Sequence, residues 1–424
     1  MLALVLFVSF ILLIFLGVPI AFSLGISSIT YLLMADISLS IIPQRMFGGL
    51  NSFVLLCIPS FILAGNLMNA GGITDRIIKF TNNLVGHIRG GLGLANVGSS
   101  MGFAGISGTA LADTASIGSV LIPAMKKQGY DADFSAAVTS SSSTIGPIIP
   151  PSLPLIIVGT LASISIGDLF LAGAIPGLIL GIGLMIAVYI ISVKRNYPKG
   201  ERQKLSVIGK SFIDAFWALL MTVVILYGIL GGYFTPTEAS IVAVVYALIV
   251  GLFVYRDLKV KAIPSILLTS MKSTASIMIL VGLANLFGWI LVSEKIPQVV
   301  ANAILTISDN KIVVILLIVL LLLFVGTFME TIAALVILFP VLLPVAVSIG
   351  MDPVHFGVVM VLGLIIGLST PPVGVCLFVA SSIGKVSVGK TSIALIPFLA
   401  VSIFVLLLVA FIPELTLYLP SLFK

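Results

Sequence analysis

The sequence predicts an all-α polytopic membrane protein made of two inverted-topology repeats, each with about five spans and one re-entrant hairpin. Three observations carry this: a charge-poor composition, an ungapped internal repeat and an alternating placement of basic residues. Of the 424 residues, 60% are hydrophobic and 8% charged, whereas soluble domains are about 25% charged. Residues 1–17, 170–192, 236–254, 312–325 and 398–412 carry almost no charge, and roughly 20 apolar residues cross a bilayer as a helix. No basic n-region or A-x-A-like site marks the start as a cleaved signal.

The repeat is read from residues that break or kink helices. Phe103 to Pro176 return without a gap as Phe324 to Pro397, at an offset of 221. Gly105 meets Gly326, Pro123 meets Pro344, Gly146 meets Gly367, Pro150-Pro151 meet Pro371-Pro372, and Pro176 meets Pro397. Apolar composition alone produces chance matches at Leu or Val, but not this register of Gly and Pro.

Basic residues give the orientation. The loop 194–210 holds Lys194, Arg195, Lys199, Arg202, Lys204 and Lys210 against one acid, Glu201, so it reads as cytoplasmic. Counting spans outward then places every Lys and Arg inside except Arg45, Lys295, Lys311 and Lys424. The matching segments fall on opposite sides: Lys126-Lys127 inside, Val347-Ser348 outside. At 291–311, Glu294 and Asp309 offset Lys295 and Lys311 outside. Both termini are expected outside.

The elements follow in order. The first half reads as spans near 1–17 and 19–35, an amphipathic stretch 37–50, a span 53–70 and a surface helix 72–88. A hairpin 92–125, a span 133–162 broken at Pro-Pro and a last span 169–193 complete it. The second half repeats this near 213–232, 236–255, 257–270, 273–291, 293–306, 311–346, 353–383 and 391–415. Pro19 pairs with Pro236, and Thr235-Pro236-Thr237-Glu238 reads as a capped helix start. Trp217 and Trp289 read as interfacial anchors.

The chemistry lies at the breaks and tips. The first broken span carries Thr139, Ser140, Ser141, Ser142, Ser143 and Thr144, then Gly146-Pro147 and Pro150-Pro151-Ser152. Hydroxyls and carbonyls freed by Pro and Gly are oxygen donors for a hard cation such as sodium. The alternative is that the hydroxyls bond back to their own helix. The second break, Gly367-Leu368-Ser369-Thr370-Pro371-Pro372-Val373-Gly374, is plainer, and packing alone also accounts for a kink there. The hairpin tips carry Asp113 and Glu330. Each carboxylate is read either as part of a cation site or as a cap on backbone N–H groups. Helix N-termini at tips and breaks favour an anionic substrate.

Several functions find no support. His87 and His355 are too few and too distant for a zinc site, and Cys57 and Cys376 read as buried free thiols. No phosphate-binding or metalloprotease motif occurs, so neither an enzyme nor an ATP-driven pump is read. The net charge of +6 reports orientation, not nucleic-acid binding. A channel is disfavoured by the paired hairpins.

Five stretches together resemble the large membrane subunit of tripartite ATP-independent periplasmic (TRAP) transporters. They are Gly17 to Phe22, Gly105 to Asp113, Ile145 to Ser152, Phe234 to Ala239, and Thr370 to Gly374. Glu330 departs from the Asp frequent in that family, and Gly108-Thr109 from its serines and valine. The resemblance implies sodium-driven import of an organic anion, of the C4-dicarboxylate or sialic-acid type, into a bacterium across its inner membrane. It implies two partners: a periplasmic substrate-binding protein and a small four-helix membrane subunit. An elevator mechanism is implied, with scaffold parts 1–90 and 213–310 and transport parts 91–193 and 311–424, joined by a basic linker 194–212. One sodium site would comprise Ser107, Gly108, Asp113, Ser142, Ser143, Thr144 and Gly146. The other would comprise Gly326, Glu330, Gly367, Ser369, Thr370 and Gly374. Substrate would meet Ser140, Ser141, Ser143, Thr144 and Ser369. The competing reading is a stand-alone sodium/organic-anion symporter or exchanger that needs no binding protein.

Overall fold

Proline and glycine punctuate the chain where backbone donors or side-chain bulk would be in the way. The computed structural model describes residues 2–307 and 310–423, leaving out side chains at 2–3, 106–107, 301, 303–305 and 307. Asp309 and Lys424, part of the charge reading, and the Ser107 side chain lie outside the described residues. The first half forms α1 (Leu2–Phe15), α2 (Ile20–Met34), α3 (Ile41–Leu50), α4 (Cys57–Ala70) and α5 (Ile73–Val85). It continues with α6 (Gly91–Ser107), α7 (Ala110–Lys127), α8 (Ala132–Ser142), α9 (Leu153–Ala162) and α10 (Ile166–Lys194). The second half forms α11 (Leu205–Leu230), α12 (Pro236–Ile249), α13 (Ile263–Ser293), α14 (Ile296–Ile307) and α15 (Lys311–Gly326). Then come α16 (Thr331–Ser348), α17 (Pro353–Gly367), α18 (Val375–Gly384), α19 (Val388–Phe411) and α20 (Glu414–Leu422). No strand occurs among the described residues.

Among the described residues, seven helical segments are long and apolar enough to cross a membrane: Phe53–Ala70, Ile166–Lys194, Leu205–Leu230, Pro236–Val254, Val260–Ser293, Thr331–Ser348 and Val388–Phe411. Their outer faces expose large apolar side chains, such as Ile186, Ile213, Ile241 and Phe404, as contact with lipid requires. Pro236 stands at the first turn of α12, where its missing N–H is no loss. Thr235 and Glu238 close a capping box there, each satisfying the other's backbone N–H.

Helix neighbours recur with the halves exchanged. α7 packs on α18 as α16 packs on α9; α8 packs on α19 as α17 packs on α10; α4 packs on α12 as α13 packs on α2. The hairpins and broken spans therefore interlock across the halves, while α1–α4 and α11–α13 form a second group beside them. Each hairpin turns at the level of its own half's break. Gly374 N donates to Thr327 O at 2.9 Å, and Gly108 packs on Leu153 at the start of α9. Pro150-Pro151 and Pro371-Pro372 are both cis.

Two expectations need correction. The stretches 257–270 and 273–291 were expected as separate elements, yet α13 runs unbroken from Ile263 to Ser293. The first half breaks there because Gly48-Gly49 weaken the end of α3, Asn51-Ser52 follow it, and Pro59 stands in the first turn of α4, whereas Ser270-Met271-Lys272-Ser273-Thr274 are tolerated in a helix. The last expected element, 391–415, is also divided: α19 ends before Pro413, and α20 packs back on α10 and α17.

The basic linker is held to the first broken span. Arg195 Nη1 lies 3.0 Å from Asp131 Oδ2, and the Tyr197 hydroxyl donates to the same oxygen at 2.6 Å. Burial, then the bond to Asp131, pushes the Tyr197 phenol above its ordinary range. Gly200 N donates to Gly86 O at 2.9 Å, joining the linker to the end of α5.

Candidate transport site at the hairpin tips

Both breaks arise where α8 and α17 run out of backbone N–H donors at Gly-Pro and Thr-Pro-Pro sequences, which leaves carbonyls free. The freed segments meet at the centre of the molecule. Ser140 Oγ donates to Ser369 Oγ at 3.2 Å, and Ser369 Oγ donates to Ser140 O at 2.8 Å. This pair is buried and joins one half to the other. A cavity of about 100 Å³ lies between the tips, lined by Gly108 to Leu111 and Glu330 to Ile332, with Pro147, Pro154, Leu368, Val375 and Cys376. A second cavity, about 140 Å³, lies across the first tip, between it and α4 and α13; Asn66, Asn69, Ser116 and Ser273 supply its polar lining. Thr109 borders both.

Within the first expected cation set, Asp113 is completely buried. Its Oδ2 occupies the space a Cβ would take at Gly146, so only glycine admits the carboxylate against the break. Ser143 Oγ donates to Thr139 O at 2.7 Å and Thr144 Oγ1 to Ser141 O at 2.6 Å. The hydroxyls thus do bond back to their own helix, but a donating hydroxyl keeps lone pairs for a cation. Ser142 Oγ donates to Asn96 Oδ1 at 2.9 Å and accepts from Ser100 Oγ at 3.0 Å. Gly108 adopts φ +63° and ends α6. Ser141 is buried on the same helix.

The second set is built differently. Glu330 is the N-cap of α16: its Oε2 accepts from Ile332 N at 2.9 Å and Ala333 N at 3.2 Å. Its positional counterpart is Thr109, which caps α7 in the same way. Asp113, by contrast, stands one turn inside α7, so the two carboxylates are not equivalent. Gly326 and Gly367 press backbone on backbone; a Cβ on Gly367 would stand 2.5 Å from Gly326 Cα. Thr370 Oγ1 donates to Ile366 O at 2.8 Å. Gly374 takes φ +56° to start α18.

Asp113 is thus brought to Gly146, Ser140 to Ser369, Gly326 to Gly367, and Gly374 to the second tip. None of the expected substrate residues Ser140, Ser141, Ser143, Thr144 and Ser369 lines the inter-tip cavity. Sequence reading missed Asn96 and Ser100. Asn96 Nδ2 donates to Thr139 Oγ1 at 2.7 Å, and these two side chains anchor the hydroxyl run to α6. A polar amide in a hairpin arm at membrane depth is itself the signal that would have found it. No group of three or more His, Cys, Asp or Glu forms among the described residues. The oxygens at the first site are one carboxylate with hydroxyls and carbonyls, a donor set suited to a hard, singly charged ion.

Membrane-spanning helices, paired hairpins and a polar junction between two broken spans form the architecture of a membrane transporter. A family model described as "Tripartite ATP-independent periplasmic transporter, DctM component" matches residues 7–415. The chain belongs to that family and is a TRAP-type large permease. It is 45% identical over 415 residues to the sialic acid TRAP transporter large permease protein SiaM of Vibrio cholerae, covering 97% of this chain and 96% of that one. It is 41% identical to the C4-dicarboxylate TRAP transporter large permease protein DctM of Pseudomonas aeruginosa, covering 94% of each. The Alcanivorax borkumensis YdaH transporter shares the fold, with a TM-score of 0.63 at 13% identity over 88% of each chain.

Proposed function

We propose that this permease imports a small organic anion, of the sialic-acid or C4-dicarboxylate type, coupled to sodium entry. The observation that carries this reading is the meeting of the two breaks at Ser140 and Ser369, with both hairpin tips lining one cavity. Sodium is held at the Asp113–Gly146 contact by the Asp113 carboxylate, Ser143, Thr144 and the freed carbonyls of the first break. A second sodium lies among the oxygens of Gly326, Gly367, Ser369, Thr370 and Gly374, with Glu330 fixing the tip by capping α16. The positive ends of α7, α9, α16 and α18 converge on the inter-tip cavity and favour an anion there. That cavity, about 100 Å³, is smaller than the roughly 300–1,000 Å³ of typical ligand sites. The first tip therefore moves to admit substrate, joining the inter-tip cavity to the one beyond Thr109.

In this reading α6–α10 and α15–α20 travel together as the transport part against a scaffold of α1–α4 and α11–α13. The chain sits in the bacterial inner membrane with both termini periplasmic. It works with a small four-helix membrane subunit and a periplasmic binding protein, as the family's tripartite description supports. Reconstitution in proteoliposomes tests it. Labelled sialic acid and succinate are offered with an inward sodium gradient, with both partners present. Saturable uptake of one of them, abolished when sodium is replaced by potassium, is expected. Uptake indifferent to the cation overturns sodium coupling.

A further inference from the structure

α10 and α19 are neighbours in the group that carries the tips. They close where a Cβ on Gly183 would stand 2.8 Å from Val401 Cγ1. From there a cavity of about 430 Å³ opens along Ile186, Ile190 and Ile191 of α10 and Ala394 and Pro397 of α19, ending at Lys194 and Arg195. Ile186 and Ile190 are about half exposed and Ile393 is 71% exposed, so the groove faces the surroundings, not the core. Lys390, Ala394, Pro397 and Val401 follow one another at helical spacing along one stripe of α19. That puts a second lysine at the same end as Lys194. Arg195 is engaged by Asp131 and Asp133, whereas neither Lys194 nor Lys390 has a carboxylate within ion-pair distance among the described residues. α19 also begins at this end without a side-chain cap, adding partial positive charge.

We propose that this groove binds an anionic phospholipid, with an acyl chain along Ile186, Ile190 and Pro397 and the phosphate at Lys194 and Lys390. A bare apolar groove would take any lipid tail or a partner helix. The uncompensated lysines at its mouth select a negatively charged headgroup, the arrangement by which basic pockets between spans hold acidic lipids. The site is separate from the tips, and the proposal does not depend on sodium coupling or on the substrate.

The test is photo-labelling of the purified full chain in nanodiscs with diazirine-tailed phosphatidylglycerol, followed by peptide mapping. Adducts are expected within 186–194 and 390–401, displaced by phosphatidylglycerol about tenfold better than by phosphatidylcholine. Lys194→Gln with Lys390→Gln is expected to reduce labelling about tenfold, while Lys194→Arg with Lys390→Arg retains it. A Lys210→Gln control should leave it unchanged. Equal displacement by the two lipids, labelling unaffected in the double glutamine variant, or cross-links to a protein segment in place of lipid adducts would each overturn the proposal.

Discussion

The proposed sodium coupling turns most sharply on Asp113. It sits one turn inside α7, fully buried, against a glycine that cannot be replaced without displacing it. An ionisable side chain at such depth is retained for a partner or an ion. Asp113→Asn and Gly146→Ala are each expected to raise the sodium concentration for half-maximal uptake by about tenfold, an energy of about 1.4 kcal/mol. Sodium titration of proteoliposome uptake reads this, and an unshifted curve for both variants removes the pair from the ion site. Glu330 has a different duty, since its carboxylate oxygen is already shared by two backbone N–H groups. Glu330→Ala is expected to cost about 1 kcal/mol of tip stability, with Glu330→Asn largely restoring it. Thermal denaturation in detergent measures both; equal loss in the two variants contradicts a capping role. The sequence showed both carboxylates and their unequal positions, because Glu330 aligns with Thr109 and not with Asp113. It did not show which one caps, because that depends on whether the oxygen meets its own helix's N–H groups or a neighbouring break.

At the scale of elements, the broken spans and hairpins were the most legible part of the chain. Gly and Pro act locally, so Gly146-Pro147, Pro150-Pro151 and Pro371-Pro372 disclose their breaks without knowledge of the neighbours. The continuous α13 was not legible by the same logic. The reading carried the first half's interruption over to the second, although the Gly, Asn and Pro residues that produce it are absent there. Nor was the Asn96–Ser142–Ser100 network, which depends on how α6 lies beside α8. The bond between Ser140 and Ser369 is a direct link between the two breaks, and it is testable. A double-mutant cycle of Ser140→Ala and Ser369→Ala, followed by unfolding, is expected to give a coupling of about 0.6 kcal/mol, typical of hydrogen bonds between membrane helices. Strict additivity contradicts a direct bond.

For the whole molecule, the interlocked neighbours α7–α18 and α16–α9 place the two halves around one junction. A junction between repeats is where the proposed transport mechanism would hold its substrate. Uptake is expected to fall to background when the binding protein is left out of the proteoliposome assay. Full uptake by the permease with its small subunit alone would favour the stand-alone symporter. The whole account rests on the halves lying antiparallel across the bilayer. Lys127 and Ser348 are repeat counterparts, both exposed at the ends of α7 and α16, and the native Cys57 and Cys376 are buried. Lys127→Cys and Ser348→Cys, labelled in intact cells with a membrane-impermeant maleimide, test it directly. Labelling at 348 and protection at 127 until the membrane is permeabilised is the predicted result. Labelling of both positions from the same side would contradict it.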